Sequence, residues 1–145
     1  VLELGRDGLL YLDTSALVKL VIDEDESPAL RDELTRWDDG RFATSALTRV
    51  ELPRAVTRAV PTASIGDALQ VAAAVLESTQ IIPLTDQVIA LAAGVGPSAL
   101  RSLDAIHLAS ALVASPAEVR PVLCGYDQRL QEAGREQGLL AISPT

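Results

Sequence analysis

Cysteine, basic charge and long apolar runs are scarce in this sequence, and each shortage excludes something. Cys124 is the only cysteine, which rules out an intramolecular disulfide and any zinc site built from several thiolates. It stands in the run Val122-Leu123-Cys124 and reads as a small core residue, not a reactive thiol. Although 48% of the residues are hydrophobic, the longest apolar stretches, 16–22 and 71–76, fall short of the roughly 18 residues that cross a bilayer. No membrane role is expected. Residues 1–8 carry acids and a glycine where a secretory signal has a basic and then an apolar region, so a cytoplasmic location is expected. Only 12 Lys and Arg stand against 20 Asp and Glu, for a net charge of −8. An acidic surface repels nucleic acid, because phosphate neutralisation by Lys and Arg drives that binding. The objection weakens if several carboxylates converge on a divalent ion, which returns two positive charges locally.

A chain of 145 residues suits one compact domain, here 1–145. Short apolar segments alternate with helical patterns throughout. Strands are predicted over 9–12, 41–44, 80–83, 121–124 and 139–142. Helices are predicted over 16–21, 27–37, 45–60, 65–77, 85–95, 102–114 and 128–136. Ser27 and Pro28 look like a cap and first-turn proline, Asp38-Asp39-Gly40 ends that helix, and Trp37 reads as an anchor in the core. Strands separated by helices imply parallel pairing, since parallel strands need crossover connections. The expected fold is a three-layer α/β/α sandwich with a mainly parallel central sheet. Ligands then gather beyond the carboxyl ends of the strands.

Four acids fall where such a rim is expected. Asp13 closes the first strand and Asp127 stands just past the fourth. Asp104 is in the first turn of its helix, two residues after the expected cap Ser102, and Glu51 lies on the helix after the second strand. Each has an ordinary explanation: Asp13 and Asp127 as helix caps, Asp104 as an acid at the positive end of a helix dipole, Glu51 as a solvated charge. Together they repel unless a cation stabilises them or some take up protons. Oxygen-only ligands favour Mg²⁺ or Mn²⁺, ions that activate water for phosphodiester hydrolysis.

The blocks Tyr11-Leu12-Asp13-Thr14-Ser15-Ala16-Leu17, Arg49-Val50-Glu51-Leu52, Leu103-Asp104-Ala105-Ile106-His107-Leu108-Ala109 and Tyr126-Asp127-Gln128-Arg129-Leu130 resemble, in order and spacing, the signature blocks of VapC-type PIN domains. The resemblance runs from the first strand to Gly138-Leu139. It implies a Mg²⁺- or Mn²⁺-dependent endoribonuclease, commonly a homodimer, that acts on RNA as the toxin of a toxin–antitoxin pair and is covered by a VapB-type antitoxin. It implies Asp13, Glu51, Asp104 and Asp127 as the catalytic, metal-holding pocket, with Thr14 or Ser15 in support. His107 is expected to be structural. Lys19, Arg49, Arg54, Arg58 and Arg129 could border the pocket and hold RNA phosphate, but each taken alone reads first as a solvated surface charge.

Two departures stand out. Gly125 occupies a position, two before the last Asp, where many such proteins carry Thr or Ser, so a supporting hydroxyl is expected to be missing. Pro53 follows Glu51 inside a helical pattern and is expected to clash with the Arg49 carbonyl and kink the helix. These features and the acidic charge motivate an alternative, a catalytically weak PIN domain that binds antitoxin and operator DNA. A haloacid-dehalogenase-type phosphatase fits poorly, because that chemistry wants a second Asp two residues after the first and position 15 is Ser.

Overall fold

The computed structural model describes residues 8–37, 40–116 and 118–145. The expectations for residues 1–7 and for Asp38 and Asp39 lie outside the described residues. In chain order the elements are β1 (Leu10–Leu12), α1 (Thr14–Val21), α2 (Ser27–Thr35), β2 (Phe42–Ser45), α3 (Thr48–Ala59), α4 (Ile65–Glu77), β3 (Gln80–Ile82), α5 (Asp86–Ala92), α6 (Ser102–Val113), β4 (Val122–Cys124), α7 (Gln128–Glu136) and β5 (Leu140–Ile142). The strands form one parallel sheet in the order β3-β2-β1-β4-β5.

Alternation along the strands divides the core into two. Leu10, Leu12, Val122 and Cys124 pack beneath α1 to α4, with Leu17, Leu30, Leu52 and Trp37. Tyr11 and Leu123 face the other way, toward Leu108 and Ala111 of α6 and Leu130 and Ala133 of α7. Because successive side chains of a strand point to opposite faces, a three-residue strand in this arrangement is apolar throughout. The result is a helical layer on each face of the sheet.

The chain builds outward from β1 to β2 and β3, then returns to add β4 and β5 on the other side. This reversal puts β1 at the switch point, where a crevice opens beyond the carboxyl ends of the strands. Asp13 follows β1 directly, and its backbone N–H still reaches the Cys124 carbonyl at 3.2 Å.

Several boundaries differ from expectation. Helix α3 begins at Thr48, not at position 45, because Ser45 completes β2 and its hydroxyl accepts from the Leu47 N–H at 3.0 Å. Ser27 is the first residue of α2 and not its cap; its hydroxyl accepts from the Glu24 N–H and donates to the Ile22 carbonyl. Ser102 likewise opens α6, with Arg101 at the cap position. Helix α3 continues through Pro53, which has no N–H to give the Arg49 carbonyl.

Candidate active site

Asp13 is nearly inaccessible, 3% exposed. Its carboxylate caps α1 by accepting from the Ala16 N–H at 3.0 Å and accepts from the Ser15 hydroxyl at 2.6 Å. The same Ser15 oxygen accepts from the Tyr126 N–H at 2.9 Å, tying Asp13 to the turn that carries Asp127. Burial pushes the Asp13 carboxyl above its ordinary value and the charge of Asp127 adds to this, against opposing contributions from Ser15, His107 and Ala16.

Gly125 explains how the Asp13 carboxylate fits. A Cβ at position 125 would lie 2.5 Å from Oδ2 and 2.6 Å from Cγ and Oδ1 of Asp13. The space that a side chain would occupy is filled by the acid itself, and Ser15 supplies a hydroxyl to it.

Glu51 sits on the other side of β1, held from behind. Its Oε1 accepts from the Thr14 hydroxyl at 2.5 Å and from His107 Nε2 at 2.7 Å. A carboxylate only accepts, so Nε2 donates; in the neutral ring, Nδ1 is then left to take the Tyr11 hydroxyl proton across 2.8 Å. Thr48 stands 3.2 Å from the Thr14 hydroxyl and 2.8 Å from that of Thr44, extending the web into β2. Burial by itself raises the Glu51 carboxyl, but the hydrogen bonds from His107 and Thr14 outweigh it and hold the group below its ordinary value. Tyr11 is fully buried, and burial, with the charge of Asp13, keeps its phenol protonated well above the usual range.

Asp104, in the first turn of α6, and Asp127, the cap of α7, line one cleft of about 330 Å³ with Arg101, Gln128 and Arg129. Asp127 Oδ1 accepts from the N–H groups of Arg129 at 3.0 Å and Leu130 at 3.3 Å. The Asp104 carboxyl is raised by burial first, then by Asp127 and Glu51, with His107 and Arg101 opposing. A larger hollow of about 590 Å³ lies between α5 and α6, and none of the four acids lines it.

Asp104 and Asp127 therefore share a cleft, Asp13 feels Asp127, and Asp104 feels both Asp127 and Glu51. Among the described residues, no three His, Cys, Asp or Glu side chains are placed to share one ion. Asp13 is turned onto its own helix and Glu51 onto His107. Thr14 and Ser15 both engage a pocket acid, Glu51 and Asp13 respectively. His107 is buried at the hub, 3% exposed. The sequence hinted at it only through its place one turn after Asp104, and nothing in the sequence marked Tyr11, Thr44 or Thr48 as its neighbours. Lys19 is engaged elsewhere, with Glu24 and Glu26 and above the Tyr126 ring.

A parallel sheet with acids at its switch point defines a class, and comparison with known proteins names it: the PIN domain family model matches residues 10–135, and the chain belongs to that family. Ribonuclease VapC47 of Mycobacterium tuberculosis (strain CDC 1551 / Oshkosh) is 43% identical over 145 residues, covering 94% of this chain and 97% of the relative. Ribonuclease VapC35 of strain ATCC 25618 / H37Rv is 40% identical over 136 residues, with the same coverage, 94% and 97%. The chain is thus a member of the VapC ribonucleases within the PIN domains. Two crystal structures share the fold. VapBC2 from Rickettsia felis, bound to a DNA fragment from its promoter, aligns with a TM-score of 0.69 at 13% identity over 95% of this chain and 100% of that one. PAE2754 from Pyrobaculum aerophilum aligns with a TM-score of 0.60 at 21% identity, over 92% and 83%.

Proposed function

We infer that this VapC-family protein is a metal-dependent endoribonuclease and the toxin of a toxin–antitoxin pair, with Asp13, Glu51, Asp104 and Asp127 holding Mg²⁺ or Mn²⁺. The observation that carries this reading is electrostatic. Asp104 and Asp127 share the cleft beyond the sheet, Asp13 and Glu51 border it from β1 and α3, and Asp13 and Asp104 are both pushed toward holding protons, by burial and by the charge of Asp127. Carboxyl groups pushed toward holding protons are what a divalent cation relieves, and an oxygen-only donor set suits a hard ion. Such an ion, when bound, supplies an activated water and stabilises the leaving oxygen of a phosphodiester.

The chain's own residues supply the rest. Thr14 and His107 hold Glu51 ionised, Ser15 and the α1 N-terminus hold Asp13, and Asp104 and Asp127 face the open cleft where an RNA strand enters. A VapB-type antitoxin, a homodimer and a cytoplasmic site of action are the remaining parts of the proposal; they rest on VapC membership. Among the described residues no helix is long and apolar enough to cross a membrane.

The test is cleavage of total cellular RNA by wild type and Asp13→Asn, each with Mg²⁺, Mn²⁺ or chelator. Discrete fragments from wild type alone, lost with chelator, are expected. No fragments in any lane, alongside tight antitoxin binding, would favour the binding-module reading instead.

A further inference from the structure

The acidic composition poses a problem for an enzyme that must hold a polyanion, and the placement of the arginines resolves it. Away from the acidic rim, the basic side chains of the described residues are occupied, Arg49 excepted. Lys19 pairs with Glu24 and Glu26, Arg31 with Asp23, and Arg36 with Glu33. Arg120 donates to the Gln137 carbonyl and Arg135 to that of Ala141. Arg41 is engaged as well.

The guanidinium groups of Arg54, Arg58, Arg101 and Arg129 differ: all four residues are exposed, and none makes a hydrogen bond or ion pair within the described residues. Arg101 and Arg129 line the cleft with Asp104 and Asp127 yet bridge to neither. Arg54 and Arg58 follow Glu51 on α3 at spacings of three and seven residues, which places all three on one flank of the helix. There they line a groove with Thr57 and Leu69. Because β2 and β4 lie on opposite sides of β1, α3 and α7 leave the sheet on opposite sides of Asp13. Arg49 has no partner either, but it lies on the far side of α3 from Glu51.

Base stacking is poorly provided for. Tyr11 and Trp37 are buried, Phe42 is half-buried, and Tyr126 lies beneath Lys19. Contact with the strand falls to the charges.

Resting on the ribonuclease reading above, we propose that Arg101 and Arg129 on one side of the carboxylates, and Arg54 and Arg58 on the other, grip the sugar–phosphate backbone of RNA so that the strand crosses the acidic cleft. Guanidinium forks suit phosphate oxygens, and four of them outside the carboxylates make an electrostatic track on a protein whose whole charge is −8.

Counterion release provides the test. Each phosphate contact to a single strand contributes about 0.7 to the slope of log affinity against log salt. Binding of a labelled single-stranded RNA of mixed sequence is measured by fluorescence anisotropy across a salt series, in chelator and again with Ca²⁺, so that occupancy is read without turnover. The double variant Arg101→Ala/Arg129→Ala, and likewise Arg54→Ala/Arg58→Ala, should lower the slope by about 1.4. Arg101→Lys/Arg129→Lys should keep it, since a point charge still releases a counterion. Arg31→Ala/Arg36→Ala, which removes the same two charges from ion-paired sites, should leave the wild-type slope. Wild-type binding with slopes unchanged in both double variants would overturn this inference and leave the ribonuclease reading standing. Wild type that binds RNA in neither condition would remove both.

Discussion

Replacing Gly125 by serine tests whether Asp13 is where the structure puts it. The new Cβ would come within 2.6 Å of three atoms of the Asp13 carboxylate, closer than unbonded carbon and oxygen tolerate. Asp13 is short and its backbone is fixed at the end of β1, so relief requires rotation about its side-chain bonds. That rotation breaks the bonds from Ser15 at 2.6 Å and from the Ala16 N–H at 3.0 Å. A helix cap is worth about 1 kcal/mol and a hydrogen bond to a charged group about 1.5–3 kcal/mol. Some of this returns when the rotated carboxylate regains water, leaving a net loss of about 2–3 kcal/mol. In a domain of this size that lowers Tm by roughly 5–10 °C. The assay is urea unfolding of Gly125→Ser, Ser15→Ala and the double variant. If Gly125 makes room for the Ser15–Asp13 bond, losing Ser15 costs less once residue 125 is serine, with a coupling of about 1 kcal/mol or more. Additive effects, or a Gly125→Ser protein as stable as wild type, would refute the packing argument.

Other expectations follow from the same web. His107→Ala leaves Glu51 and the Tyr11 hydroxyl without their buried partner and should cost about 2–4 kcal/mol in urea unfolding at neutral pH. The pH dependence has opposite signs at the two acids. Glu51 is held below its ordinary 4.5, so its contribution to stability is present above that pH and fades as pH falls through its lower folded value. His107→Ala should therefore move the acid unfolding limb to higher pH. Asp13 is held above its ordinary 3.8, so its contribution is present below that pH and is lost as pH rises through its folded value. Asp13→Asn, whose amide oxygen can still cap α1, should thus be more stable than wild type at neutral pH in chelator, on the order of 1 kcal/mol. The gain should vanish in acid, and an Asp13→Asn protein less stable than wild type at neutral pH would contradict it.

Helices α4 and α7 were legible to the residue because local signals bound them: Pro61 ahead of α4, and Asp127 capping α7 through its own side chain. The start of α3 was not, since the Ser45 hydroxyl was free to serve either a helix or the turn after β2, and parallel pairing of Ser45 with Ile82 decides for the strand. The acids were visible as residues that end apolar strands or open helices, a pattern that depends only on neighbours in sequence. What holds them was hidden. The bond between Tyr11 and His107 spans 96 positions and that between Glu51 and His107 spans 56, and no local pattern reports contacts of that range. Gly125 was visible but read as a missing hydroxyl; only the position of the Asp13 side chain shows why a side chain there does not fit.

The central claim is that the four acids act together on one cation site. Calorimetric titration of Mn²⁺ into wild type and into Asp13→Asn, Glu51→Gln, Asp104→Asn and Asp127→Asn addresses it directly, without RNA or turnover. The account predicts binding to wild type and a loss of affinity of at least about tenfold in each variant. Wild type that binds no Mn²⁺, or variants that bind it as wild type does, would contradict it.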